Sequence, residues 1–489
     1  MKNQDSRAIF PIMILVTALF LLLVPYAYWF SGSYALVDDY SFMVRGLPDM
    51  VQWLSIGRPG TYLYMDFVNK VLRSNLEFAR IMALLLLAIT SLTIYASMRH
   101  RGQVAALAVA AALAIPASYS VHLSIVWINT GSSLVSLILA TLAYGVGYDS
   151  RRRIVAAVVL FTLSGLFYQP TACIFFVFHL LDWLLVRRER MKWSDLWPFA
   201  IGGVGLAIIF ISIKITVMSA MTPPTWSGRG ALLYDVWAKV EFLTERLLPF
   251  AASPVIPPTM ASVVLSYIGL ASMIILAGMR DFAGRGLVGF LLTVGVTAAY
   301  LIAAELPILI VNDSWASART IVPWVMLSTF LLAWVLYALL SRRVGEGALV
   351  VIVAMSMVGI GWWNGKATKR YLITPAIAEM NYFTAEVVKG VSRGFTDFAV
   401  VMPPPGPFIP KFIQYEFAQF SSSANWTPPG MLIMSQRRLA LPAGSLKLVT
   451  TSRDDVDDCA CYVIDMRPLW NEYRERFKQP AEVQPYSNR

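Results

Sequence analysis

The chain has 489 residues, 57% of them hydrophobic and 14% charged, and a mean hydropathy of +0.62. Soluble domains carry roughly 25% charged residues, so this composition excludes an ordinary soluble enzyme and indicates a polytopic membrane protein. The net charge of +11 does not argue for nucleic acid, because the basic residues fall in short runs between apolar segments, as membrane orientation requires. Three cysteines supply no disulfide framework.

Lys2 and Arg7 precede an apolar run from Ile9 to Phe30. At about 22 residues it is long enough to span a bilayer and too long for a signal-peptide core, so it reads as a retained first helix. Further apolar segments lie near 79–97, 104–119, 124–146, 154–167, 169–186, 197–218, 261–279, 286–304, 320–341 and 348–365, which gives an expectation of about eleven spans. Arg99 and Arg101, Arg151 to Arg153, Arg187 to Lys192, Arg280 and Arg285, and Arg342 and Arg343 all fall on the side of the N-terminus in this count. The positive-inside rule makes that side cytoplasmic. Segments 31–78, 219–260 and 305–319 then face outward, with the tail 366–489.

The tail changes composition at Gly365–Lys366. Phe398–Met402, Met431–Met434, Leu446–Thr450 and Cys461–Ile464 read as short strands and Tyr382–Val391 as a helix. The fold class expected is therefore an all-α polytopic membrane domain over 1–365 and a small α/β domain over 366–489.

Asp38 and Asp39 lie about eight residues beyond the first helix. Carboxylates are costly near a bilayer, and an adjacent pair there suits a general base that takes a proton from a hydroxyl. The competing reading is a solvated turn or an N-cap for the segment that begins at Tyr40. Arg58, between Gly57 and Pro59, could clamp a phosphate or be an ordinary loop arginine. Tyr168-Gln169-Pro170 interrupts an apolar stretch at an outward turn, where Gln169 could bond a sugar hydroxyl or satisfy the turn. Lys214 can snorkel or neutralise a phosphate. Arg319 opens the tenth span; it could bind a lipid phosphate, snorkel, or pair with Glu305 or Asp313. Trp53, Tyr62, Tyr64 and Trp226 could stack on sugar faces, although aromatics are common at membrane interfaces.

Other polar residues read as structural. His179 and Asp182 stand three apart as a pair, and His122 has no zinc-ligand spacing around it. Cys459 and Cys461 could pair, closing a small ring, after an acidic run of Asp454, Asp455, Asp457 and Asp458 that could hold a divalent cation or be a solvated turn. No Walker loop is present, and few ionisable groups lie inside the spans, which weighs against a pump or an ion-coupled transporter.

The first span, an outward Asp-Asp, a Gly-Arg-Pro about twenty residues on, a Tyr-Gln turn and many further spans together resemble the serotype-converting O-antigen glucosyltransferases, members of the GT-C class. The resemblance covers the membrane part, about 1–365. It implies transfer of a sugar, glucose by family default, from a polyprenyl-phosphate donor to a surface polysaccharide such as lipopolysaccharide O-antigen. The reaction would take place on the periplasmic side of a bacterial inner membrane and invert the anomeric centre. It matches Asp38 and Asp39 to catalytic acids and makes Arg58, Tyr168, Gln169, Lys214 and Arg319 candidates for the donor, with Arg319 facing its phosphate. Some members of the class use a divalent cation; this chain has no obvious metal set. A flippase for lipid-linked sugars and a membrane anchor that displays the tail are the competing functions.

Overall fold

The computed structural model describes residues 2–30, 34–36, 39–40, 50–71, 75–186, 193–220, 235–311, 317–409, 416–452, 454, 456 and 459–477. The chain opens with the apolar helix α1 (Lys2–Phe30). Two short helices, α2 (Met50–Ser55) and α3 (Pro59–Val71), follow in the first loop. Helix α4 (Leu76–His100) is capped by Asn75, whose side chain accepts from the Glu77 and Phe78 N–H groups.

The bundle is built around α5 (Ala105–Ala117), in which every residue is buried. It packs against α4, α1 and two late helices, α12 (Val322–Leu340) and α13 (Glu346–Thr368). Its alanines let those neighbours approach closely, as small residues do between membrane helices. A 51° bend separates α5 from α6 (Tyr119–Val126). Helix α5 therefore ends close to the boundary near 119 expected from sequence, but α6 runs to Val126, past the start of the next span expected at 124. A single 3-10 turn at Ile128–Thr130 leads into α7 (Ser132–Val146).

Helices α8 (Arg151–Ala172) and α9 (Ile174–Leu181) form a hairpin. Tyr168 leaves helical geometry at φ −161 and ψ 105. Phe161 and Phe175, about 21 Å apart if the helix ran straight, instead meet edge to face with ring centroids 5.2 Å apart. Next come α10 (Trp197–Ser219) and the 45-residue α11 (Met260–Ala304). The latter breaks at Gly286, whose φ of +63 is the left-handed region that glycine tolerates. Beyond it Thr293 donates to Asp281 at 2.5 Å, although twelve helical residues would separate them by about 18 Å. The two limbs of α11 therefore run side by side.

Among the described residues, eight helices are long and apolar enough to cross a membrane, nine if the bent pair α5–α6 counts as one. The chain is thus a helical, multi-pass membrane protein.

No break occurs at Gly365–Lys366. A π turn at Lys369–Ile373 joins α13 directly to α14 (Thr374–Ser392). The tail carries a parallel three-stranded sheet of order β2-β1-β3, with β1 (Asp397–Val401), β2 (Lys447–Ser452) and β3 (Tyr462–Asp465). All three match strands expected from sequence. The fourth does not: Met431–Met434 lies in helix α15 (Pro428–Arg438). Prolines 428 and 429 stand in its first turn, where a fixed φ favours a helix start. A short apolar run alone cannot separate strand from buried helix. Helix α16 (Arg467–Arg476) closes the described tail.

Candidate functional site

The backbone between α1 and α2 meets the break between α6 and α7, where helix ends leave amide and carbonyl groups unpaired. Asp39 takes the amides. Its Oδ2 accepts from Leu36 and Ile128 N–H at 3.4 Å each, and its Oδ1 from Asn129 N–H at 3.2 Å. Arg80, in the second turn of α4 and 2% exposed, takes the carbonyls. It donates to Tyr34 O at 2.7 Å and Val126 O at 3.3 Å, with its guanidinium 3.8 Å from the Tyr34 ring centre. Anion and cation thus brace the same two backbone segments from opposite polarities.

Burial pushes the Asp39 carboxyl up to about 7, against the opposing pull of the Arg80 charge and of the three backbone N–H groups. Burial likewise drives the Tyr34 phenol to about 12. Asp39 is therefore not a simple N-cap; it ties a loop to a helix break. Its neighbour Asp38 lies outside the described residues. The sequence reading passed over Arg80, although an arginine near the start of an apolar helix is itself a signal of function or pairing.

The same break positions Arg319. Its guanidinium lies 4.3 Å from the ring centre of Trp127, the residue just before the Asp39-binding amides. It forms an ion pair with Glu416 at 3.6 Å, and Glu416 also accepts from Ala318 N–H at 3.1 Å. Burial raises the Glu416 carboxyl, and Arg319 opposes that rise. The expected pairing with Glu305 is not made: Glu305 is buried at the end of α11 and forms no ion pair among the described residues. Asp313 lies outside the described residues. Among the described residues a counter-charge comes from the tail, roughly a hundred residues on, which no local pattern could indicate.

A second cluster joins three residues singled out from sequence. The Gln169 amide donates to Ile56 O at 3.0 Å and Gly57 O at 2.8 Å, and its Oε1 accepts from Arg58 Nε at 2.9 Å. The Arg58 guanidinium stands 4.5 Å from the Tyr168 ring centre. Gly57 has φ +70, and a Cβ there would lie 2.8 Å from both Gln169 Nε2 and Ile213 Cδ1. The α2–α3 turn thus docks on the tip of the α8–α9 hairpin. Thr61 links this cluster to the start of α7 through the Phe167 carbonyl and the Ser132 hydroxyl, the latter at 3.1 Å. Lys214 stands apart, exposed on α10 over the Phe210 ring, although the adjacent Ile213 touches the Gly57 turn.

Trp53 and Tyr64 are buried side chains, not exposed stacking platforms. Tyr62 is half-buried, and Trp226 lies outside the described residues. The tail covers this end of the bundle: Tyr40 donates to the Met380 sulfur at 3.6 Å, and its backbone lies against Gly430, which has no room for a Cβ.

The far end of α4 holds another Arg–Asp couple. Asp182 accepts from Arg101 at 3.1 Å, Gln103 at 3.0 Å and Tyr144 at 2.8 Å. The expected His179–Asp182 pair is absent; His179 packs against the Phe175, Tyr144 and Tyr148 rings. His122 is satisfied by Thr368 at 3.0 Å and the Pro116 carbonyl at 3.1 Å. Cys459 and Cys461 form a disulfide. Among the described residues, no three His, Cys, Asp or Glu side chains gather as a metal site. No protein-family model matches the chain, and no curated protein matches it.

Proposed function

We propose that the chain is a membrane glycosyltransferase of the GT-C type, moving a sugar from a polyprenyl-phosphate donor to a surface polysaccharide acceptor. The observation that carries this reading is Asp39, a carboxylate held beside the first helix with a pKa of about 7. A general base works best when its pKa lies near the working pH. In a single displacement, the acceptor hydroxyl gives its proton to the carboxylate as its oxygen bonds to the anomeric carbon. The bond from that carbon to the donor phosphate breaks, and the phosphate leaves with the electron pair. A cation near the leaving group stabilises that charge. Arg319, 20% exposed over Trp127, is suited to this role. Arg58, Tyr168 and Gln169 form a preformed polar cluster able to orient the sugar, and Lys214, which stands apart on α10, is left as a cation for a lipid phosphate at the surface.

Counting the bent pair α5–α6, both limbs of α11 and the shorter α9 as crossings makes eleven, in line with the basic residues on one side. In this topology the N-terminus is cytoplasmic, and the Asp39 loop and the tail are periplasmic, in a bacterial inner membrane. Nucleotide sugars are confined to the cytoplasm, so a lipid-phosphate donor supplies the activation on that side.

The test is transfer by purified protein from synthetic polyprenyl-phosphate sugars to a deacylated glycan, with Asp38→Asn, Asp39→Asn and Arg319→Ala alongside. Loss of transfer in a folded aspartate variant is expected. Full transfer in both aspartate variants ends the mechanism. Movement of the lipid-linked sugar across vesicles without transfer would favour the flippase alternative.

A further inference from the structure

The described groups that face Asp39 are few. Tyr34 and Tyr40 come from its own segment, Tyr64 from α3 and Arg80 from α4. Burial raises all three phenols, so they stay neutral at physiological pH. Arg80 is the cation among them, and it is buried. A buried charge needs both hydrogen bonds and a counter-charge. Carbonyls of Tyr34 and Val126 supply the first, and these belong to the two segments whose amides hold Asp39. Removing Arg80 would release both carbonyls together and loosen the frame around the carboxylate.

We propose that Arg80 is a positioning residue, which clamps the 34–36 and 126–129 segments together and thereby fixes the carboxylate of Asp39 in its working orientation and environment. The proposal rests on the reading of Asp39 as the base, yet its test does not need transfer activity.

Infrared titration of the full chain in nanodiscs follows the Asp39 carboxyl band, assigned by its loss in Asp39→Asn. In Arg80→Gln the midpoint is expected to rise by about one pH unit or more, because the opposing cation is gone. In Arg80→Lys it rises less. In the transfer assay the acid limb moves up by the same amount, with KM for the donor unchanged. An unaltered midpoint in Arg80→Gln overturns the proposal. Should Arg80→Gln fail to fold, Arg80→Lys decides, since it keeps the charge but not the planar fork that holds both carbonyls. A midpoint above that of the parent chain supports the clamp, and an unaltered one overturns it. Absence of transfer in the unaltered protein would refute the enzymatic reading alone.

Discussion

Helix α4 carries an Arg–Asp couple near each end, and the two are built differently. Near its C-terminal end, Asp182 is met by three side chains, one a direct guanidinium at 3.1 Å. Its acceptor capacity is largely used, and its geometry does not depend on backbone breaks. Near the N-terminal end, every described hydrogen bond to Asp39 comes from a backbone N–H, at 3.2 to 3.4 Å. Long amide bonds leave the carboxylate less stabilised as an anion, so burial dominates and its pKa climbs to about 7. The same two residue types make a side-chain rivet in one place and a brace of the backbone in the other.

The largest expected effect breaks the rivet. Arg101→Ala strands a mostly buried carboxylate and should cost about 3 kcal/mol, read by thermal unfolding in detergent, while the folded fraction retains transfer. Asp39→Asn should do the reverse, lowering transfer by at least about 10²-fold with a smaller change in unfolding temperature. If both variants harm stability and transfer alike, the contrast between the couples fails.

The pH dependence sharpens the comparison. The folded Asp39 pKa, about 7, lies above the unfolded value near 4. Between these values the folded protein holds a proton that the unfolded chain releases. Asp39 therefore favours folding at low pH, and that contribution is lost as pH rises through about 4 to 7. Transfer should move the opposite way, falling as pH drops below about 7. Asp39→Asn should flatten this part of the stability profile, which chemical denaturation at several pH values would reveal.

Smaller effects are expected in the second cluster and at the tail. Gln169→Ala leaves the Ile56 and Gly57 carbonyls without its amide and should cost about 1–2 kcal/mol, with weaker donor binding measured as a rise in KM. Glu416→Gln exchanges a long, mostly buried ion pair for a neutral contact of the same shape and should cost about 1–2 kcal/mol. If Arg319 receives the donor phosphate, that variant should bind donor as well as the parent chain or better.

The apolar helices were legible because a bilayer imposes length and composition on them. Tyr168-Gln169-Pro170 was legible because proline marks a break. What the pair would meet was not: Arg58 and Gln169 are 111 residues apart, and nothing local records that separation. Arg80 escaped because it was absorbed into the apolar span that follows it. The helix over Pro428–Arg438 was misread because four apolar residues fit either period. The tail looked separable because composition changes at Gly365–Lys366, whereas backbone hydrogen bonding continues through that point.

That continuity has a mechanical consequence. From Glu346 to Ser392 the helical run counts 47 residues, roughly 70 Å of contour at 1.5 Å per residue. The sheet packs back against its last turns through Tyr382, Glu386 and Gly390, so the phase of the helix sets which way the sheet faces. One residue inserted near Ser392 would turn everything beyond it by about 100°, swinging Gly430 off Tyr40 and Glu416 off Arg319 with no side chain at either contact altered.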